Sequence, residues 1–404
     1  VLSSFSFIKE IKWSIFLITW ACYLSFYFTR KNFSISKSTL ETEYGLSIIQ
    51  LGLISTAFLF LYTIGQFYSG WASDKYKVHH VLSIGCAGTG LMSIAFGLSD
   101  VFILLFIFFA LNGLFQSTGW PCNFKLVSFI IPTTSRAKSL GLWSTNYQIG
   151  GAVATLLATT LLVNYGWRSS FIIPGILLMI WGVIIFKVKA VSSEHPVQIN
   201  YMPPLGIVFR KRAYLLGGFY FFIKYFRYTL LFWLPYYLNT EHGLSLAHSA
   251  WTSLSFEIGG FSGVILLGWI CDGFFKNNKS KVLPFGFAAM VCLFYFFSQN
   301  NSSEINILIP FIFFMGFLIF SIDTLMVSTL CLDIGGPELA GRVTGIVNGI
   351  GSLGATLSGI ASSWVAYQYG WSSVFSCFAW ITFAMMLLML FSSRFFVSNQ
   401  VNHQ

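Results

Sequence analysis

The chain alternates long apolar runs with short polar breaks. The runs cover roughly 12–36, 47–72, 81–98, 101–131, 139–163 and 168–187, then roughly 213–239, 247–271, 282–298, 305–330, 341–366 and 371–394. A helix needs about 20 predominantly apolar residues to cross a bilayer, and these runs meet or approach that length. Gly and Pro within several of them are compatible with helix, because neighbouring helices can satisfy the freed backbone groups. One long polar segment, Lys187 to Arg212, holds Ser192, Ser193, Pro196, Pro203 and Pro204 and divides the runs six and six. The pattern predicts an all-α membrane protein of twelve transmembrane helices. Its N-terminal six-helix half is 1–188, its linker 189–212 and its C-terminal half 213–404.

Composition agrees and excludes other classes. Of 404 residues, 56% are apolar, 19% aromatic and only 9% charged, whereas a soluble domain carries about 25% charged residues. That is too few charges to coat a soluble enzyme or a nucleic-acid-binding domain, and a disordered chain would need low hydrophobicity. The formal charge of +10 gains its meaning from placement. Most basic residues, among them Lys9, Lys12, Lys75, Lys77, Arg136, Lys138, Lys276, Lys279 and Lys281, fall at the N-terminus or in even-numbered loops. Lys37 and Arg168 fall on the other side, with Glu41, Glu43, Asp100, Glu241 and Glu304. By the positive-inside rule both termini are cytoplasmic. Arg210-Lys211-Arg212 also offers a basic patch to anionic lipid. No small-residue cleavage site follows residues 13–28, and Arg30-Lys31 interrupts instead, so a retained first helix is expected.

The seven cysteines form no CxxC pair, so neither disulfides nor a metal site is expected. No P-loop, HExxH or GxSxG motif stands where its chemistry would need it. The histidines lie in loops, termini or helix ends. No catalytic residue and no cofactor is expected, and the chain is not expected to be an enzyme.

The two halves resemble each other. Gly70-Trp71-Ala72-Ser73-Asp74 recurs as Gly268-Trp269-Ile270-Cys271-Asp272, and Tyr165-Gly166-Trp167 with Ser169-Ser170 recurs as Tyr369-Gly370-Trp371 with Ser372-Ser373. Tyr23, Tyr27 and Arg30 correspond to Tyr220, Lys224 and Arg227. All three matches lie roughly two hundred residues apart, the signature of an internal repeat. Two six-helix halves in parallel repeat are the architecture of the major facilitator superfamily, in which substrate binds between the halves near the bilayer midplane.

Tyr23, Tyr27 and Arg30 follow i, i+4, i+7 spacing and share one helical face, as do Tyr220, Lys224 and Arg227. An ionisable residue inside a span costs about 2.5–3.5 kcal/mol on insertion scales, so it normally faces a cavity. Two guanidiniums meeting across such a cavity suit a multi-oxygen anion, phosphate above all, because Arg presents a planar fork of donors. The plainer alternative is an Arg that snorkels to an interface or pairs with a carboxylate. Lys31 is a weaker candidate on another face. Glu257, beside Gly259-Gly260, is read as a buffer for a basic residue. Asp323 has three open roles: balancing Lys224, accepting sugar hydroxyls or carrying a coupling proton. Tyr62, Gln66, Tyr147, Gln148 and Asn348 supply polar contacts or pack helices.

Tyr23-Leu24-Ser25-Phe26-Tyr27-Phe28-Thr29-Arg30-Lys31-Asn32-Phe33 resembles the first helix of the organophosphate:phosphate antiporters. Asn112-Gly113-Leu114-Phe115-Gln116-Ser117-Thr118-Gly119-Trp120-Pro121 and the stretch from Thr56 to Gly70 resemble the same group. So does Lys224-Tyr225-Phe226-Arg227 through Pro235. The resemblance implies phosphate recognition by Arg30 and Arg227, with Tyr23, Tyr27 and Tyr62 lining the cavity; Lys224, Lys31, Gln66 and Tyr147 complete the set of candidate substrate-binding residues. It also implies a conformational loop motif at Gly70, Asp74, Lys75 and Asp272. The glycerol-phosphate carriers have Lys, His and Asp where Gln66, Tyr147 and Phe232 stand here, and Ser321-Ile322 replaces a Gly-Pro pair.

The expected activity is transport of a sugar phosphate or glycerol phosphate by alternating access, in exchange for inorganic phosphate. The partners are a small anionic substrate, phosphate as counter-substrate and the lipid bilayer. Nucleic acid is not among them, and a monomer in a bacterial inner membrane is expected. The rivals are a proton-coupled carrier of another polyanion, such as a carboxylate siderophore or metabolite, and a sugar-phosphate sensor that transports nothing.

Overall fold

The computed structural model describes residues 13–128, 130, 136–187, 207–274, 279–299 and 304–392. Fourteen α-helices account for nearly all of them. In the first half these are α1 (Trp13–Phe26), α2 (Phe28–Tyr44), α3 (Ile48–Lys75), α4 (Val78–Gly97), α5 (Phe102–Gln116), α6 (Gly119–Ser128), α7 (Arg136–Tyr165) and α8 (Ser169–Lys187). In the second they are α9 (Ile207–Thr240), α10 (Leu246–Phe274), α11 (Val282–Ser298), α12 (Ile305–Thr324), α13 (Cys331–Tyr369) and α14 (Trp371–Ser392). The chain divides into two compact units, Val1–Asn200 and Tyr201–Gln404. Most of the expected linker, 189–206, lies outside the described residues. The rest of it is helical, because α9 already begins at Ile207.

Ten helical stretches among the described residues are long and apolar enough to cross a membrane, against the twelve expected. The two that fall short are the α1–α2 pair and α9. These carry the two candidate arginines: α2 holds Arg30, Lys31 and Lys37, and α9 holds Arg210, Lys211, Arg212, Lys224 and Arg227. Polar content lowers the very segments in which charge was expected to matter. The outer surface is rich in exposed Phe, Trp and Leu, such as Phe67, Trp269 and Phe391, while Ser, Thr and Asn are frequent inside. A chain whose solvent is lipid has that distribution.

The repeat governs the turns. Gly45 and Gly243 sit at φ near +64° and +65°, and Gly166 and Gly370 at +81° and +79°. Each is at a helix end, where a side chain at positive φ would be strained. After the first pair, Ser47 and Ser245 cap the next helix by accepting from the backbone of Gln50 and His248. Gly-Leu-Ser is thus a further repeated turn, at Gly45-Leu46-Ser47 and Gly243-Leu244-Ser245.

Each unit has an aromatic core. Phe33 packs on Phe109, and Phe96 stacks on Phe171, with centroids 4.6 and 4.3 Å apart. Phe226 packs on Phe378 at 4.6 Å in the second unit. Lys37, expected in a loop, is instead fully buried in α2 with its Nζ 5.2 Å from the Phe33 ring centre. The first helical span runs on to Gly45, beyond the apolar run, because buried Ser and Thr continue its inner face.

Candidate functional site

A helix break shapes the candidate site residues of the first unit. Between α1 and α2 the Arg30 amide donates to the Tyr27 carbonyl at 3.1 Å, one residue short of the α-helical partner. The Phe26 carbonyl then accepts from the Gln116 side-chain amide (3.2 Å) and from the Thr29 hydroxyl (3.2 Å). Gln116 ends α5, where a second break precedes α6 because Pro121 cannot donate and crowds the carbonyl four residues back. Its Nε2 also donates to Thr29 Oγ1 (3.1 Å) and Asn112 Oδ1 (3.3 Å). These contacts fix the amide so that its Oε1 accepts from Arg30 Nε at 2.5 Å.

Arg30 is 4% exposed, yet aromatic faces surround its charge. Its Cζ lies 5.0 Å from the Tyr27 ring centre, 4.7 Å from Tyr62 and 5.8 Å from Phe58, all within cation–π range. α3 can bring Phe58 this near because Gly113 of α5 lies against it. A Cβ on Gly113 would stand 2.2 Å from the Phe58 carbonyl oxygen.

Tyr23 and Tyr147 belong to an adjoining aromatic wall. Tyr23 lies 5.3 Å from Trp120 and 5.9 Å from Trp143, and Tyr147 lies 6.5 Å from Trp120. Trp143 is fixed in turn by an indole bond to Thr19 Oγ1 at 3.1 Å. Lys31 is buried in α2, and Gln66 is half-buried on α3 one turn beyond Tyr62.

In the second unit Arg227 of α9 forms an ion pair with Asp323 of α12, its terminal nitrogen 3.0 Å from Oδ2. Its Cζ lies 4.3 Å from the Phe320 ring centre and 6.0 Å from Tyr228. Asp323 therefore pairs with Arg227, whereas Lys224 donates to Asn348 Oδ1 at 2.7 Å and lies 5.3 Å from the Tyr220 ring centre. Six residues with π-helical bonding, Leu325–Leu330, follow almost at once. Such irregular turns recur at functional sites. Asn348 reaches Lys224 because α13 lies close along α9: a Cβ on Gly354 would stand 2.0 Å from the Phe221 carbonyl oxygen.

Glu257 is buried on α10. In the loop motif, Gly70 sits on α3 with open space around it. Lys75 is exposed, 4.9 Å from the Trp71 ring centre. The side chains of Asp74 and Asp272 lie outside the described residues. Lys125 of α6 donates to the Ser73 carbonyl at 2.6 Å, placing a cation at the C-terminal end of α3 where the helix dipole favours it.

Gln116 and Phe320 were not among the expected site residues. Asn112 and Gln116, four apart in an apolar run, were the legible signal for the first. Phe320 stands one turn before Asp323, but nothing separates it from the other phenylalanines of α12.

Ten apolar helical stretches among the described residues, in two compact units, fit a multi-pass integral membrane protein, and the family match makes it a transporter. The chain belongs to the Major Facilitator Superfamily, whose profile matches residues 19–359. It is 27% identical over 425 residues to the "Probable hexose phosphate transport protein" of Chlamydia trachomatis serovar D, covering 97% of this chain and 92% of that protein. It is 26% identical over 385 residues to the "Membrane sensor protein UhpC" of Escherichia coli K12, covering 89% and 87%. These relatives match the organophosphate:phosphate antiporter group that the span-1 and span-4 motifs resemble. Among solved structures, a bacterial homolog to the human lysosomal transporter Spinster superposes with a TM-score of 0.72 over 96% of each chain. At 16% identity that likeness concerns the fold alone.

Proposed function

We propose that this protein moves an organic phosphate, a sugar phosphate or glycerol phosphate, across a membrane by alternating access in exchange for inorganic phosphate. Arg30, with Tyr27 and Tyr62, and Arg227, with Lys224, are the phosphate ligands. Tyr23, Tyr147, Gln66 and Lys31 line the path around them. The observation that carries this reading is the preparation of Arg30. A neutral amide, itself fixed by three hydrogen bonds, orients its guanidinium among aromatic faces. Such a preset fork suits phosphate oxygens better than a point charge does. The names of the relatives, from a hexose phosphate carrier to a "Sugar phosphate exchanger 3" of mouse, support the same substrate class.

Asp323 serves as charge balance for Arg227, and the incoming phosphate takes its place. Exchange follows from the cost of burying cations. Several kcal/mol are needed to desolvate each uncompensated ion, so a carrier without an anion switches seldom, and a bound phosphate dianion removes the obstacle. Glu257 buffers the basic residues of its unit. Gly70, Asp74, Lys75 and Asp272 form the loops that change with conformation. The protein is a monomer of a bacterial inner membrane with cytoplasmic termini, and not an enzyme.

Competition against labelled inorganic phosphate in proteoliposomes tests the substrate class. Glycerol phosphate and hexose phosphates should compete, whereas citrate and unphosphorylated hexoses should not. Citrate competing as well as hexose phosphates would favour the carboxylate reading instead. A sensing role is favoured by the 26% identity to UhpC. It predicts binding of sugar phosphate with no flux in the same vesicles.

A further inference from the structure

The repeat places two unlike structures at the ends of the two units. With Gly45-Leu46-Ser47 matched to Gly243-Leu244-Ser245, Glu43 corresponds to Glu241 and Tyr44 to His242. Trp167-Arg168 corresponds to Trp371-Ser372. In the first unit the half-exposed Arg168 guanidinium lies against aromatic rings. Its Cζ lies 4.7 Å from the Trp167 ring centre and 5.7 Å from Tyr44. It pairs with Asp100 and donates to the Tyr44 hydroxyl, while the Trp167 indole donates to Glu43 at 2.9 Å. The second unit keeps the tryptophan and, at Glu241, the counterpart of Glu43, the carboxylate that accepts from the Trp167 indole rather than the one that pairs with Arg168; its residue at the arginine position is a serine. Ser372 turns aside to donate to the Ser298 carbonyl at 2.6 Å.

A cavity of about 220 Å³ lies there, lined by Tyr237, Glu241, His242, Phe297, Trp371 and Ser372. Its walls are fixed. The Tyr237 ring packs on Trp371 and Phe297 with centroids 5.6 and 5.9 Å apart, and its hydroxyl is 2.8 Å from His242 Nε2. Tyr237, Phe297 and Trp371 are all buried. Glu241 supplies a carboxylate at an exposed edge, and no lysine or arginine is among the lining residues. Aromatic faces beside a carboxylate attract a flat or soft cation.

We propose that this cavity binds a small organic cation bearing a guanidinium group. Such a ligand occupies the place that the Arg168 side chain fills in the first unit. Its charge meets Glu241 and its flat face lies against Trp371. The site is about 15 Å along α9 from Arg227 at 1.5 Å per residue. It is thus separate from the phosphate ligands and independent of the phosphate reading.

Agmatine is the probe, added to the purified full-length protein in detergent, with unfolding temperature and calorimetric affinity as readouts. The wild-type protein should be stabilised by at least about 2 °C at saturating agmatine. Glu241→Gln should weaken agmatine binding about tenfold, the scale of a lost charge-assisted contact. Ser372→Arg should raise the unfolding temperature without agmatine and abolish the agmatine response, because its own side chain fills the cavity. Neither variant should differ from the wild-type protein in its response to inorganic phosphate, whatever the size of that response. The absence of any agmatine response in the wild-type protein overturns the proposal. So does agmatine affinity that Glu241→Gln leaves unchanged, and that variant decides the matter even should Ser372→Arg not fold.

Discussion

Gln116 is the residue at which backbone and charge meet. Its amide nitrogen satisfies the carbonyl released by the break at Tyr27, and its amide oxygen holds the Arg30 guanidinium. Gln116→Leu leaves both groups buried without that partner, at a cost of about 1–3 kcal/mol each. Phosphate affinity should fall about tenfold or more by titration calorimetry, while helix content by circular dichroism stays unchanged. Arg30 and Tyr27 were legible from spacing and from the span-1 motif, and Tyr62 from the stretch between Thr56 and Gly70. The role of Gln116 was not, since it depends on a break that makes a carbonyl available. Asp323 was legible as an intramembrane acid, but its partner was not. The sequence left Lys224 and other roles open, and the fold set Arg227 beside Asp323 and Asn348 beside Lys224. Removing one partner of a buried pair costs about 3–5 kcal/mol. Asp323→Asn should therefore lower the unfolding temperature, and inorganic phosphate should restore more stability to it than to the wild-type protein. Equal phosphate stabilisation of the two proteins would argue against exchange of phosphate for that carboxylate at Arg227.

At the scale of elements, breaks and close contacts position the charges. The α1–α2 and α5–α6 interruptions occur side by side and share Gln116. The second could be read from Pro121, whereas the first has neither Pro nor Gly at Tyr27. Tertiary bonding to the Phe26 carbonyl accounts for it. Span boundaries were least legible where polar residues face inward. α2 passes through Ser34, Ser36, Lys37 and Ser38, all buried, and hydropathy alone ends the helix too soon. The approach of α13 to α9 depends on Gly354. A methyl group there would meet the Phe221 carbonyl, and overpacking of this kind costs about 1–3 kcal/mol. Gly354→Ala should lower the unfolding temperature and weaken phosphate binding together, because it pushes Asn348 away from Lys224. Gly345→Ala, in open space on the same helix, should do neither.

The whole molecule was legible chiefly through its repeat. Matched motifs predicted two similar six-span halves, and the positive-φ glycines fall in matched pairs at the ends of corresponding helices. What the repeat could not convey is the difference between the halves. One arginine is held by a neutral amide and the other by a carboxylate, and one terminal cluster contains an arginine where the other contains a cavity. These differences lie outside the matched motifs, so motif matching passes over them. The central claim is that anion exchange, not net flow, is the transport mode. Proteoliposomes loaded with labelled inorganic phosphate measure it directly. Efflux should be slow into buffer without phosphate and should accelerate at least about tenfold when unlabelled phosphate or a sugar phosphate is added outside. Efflux that proceeds equally fast without any external anion, or that responds only to a proton gradient, contradicts the account.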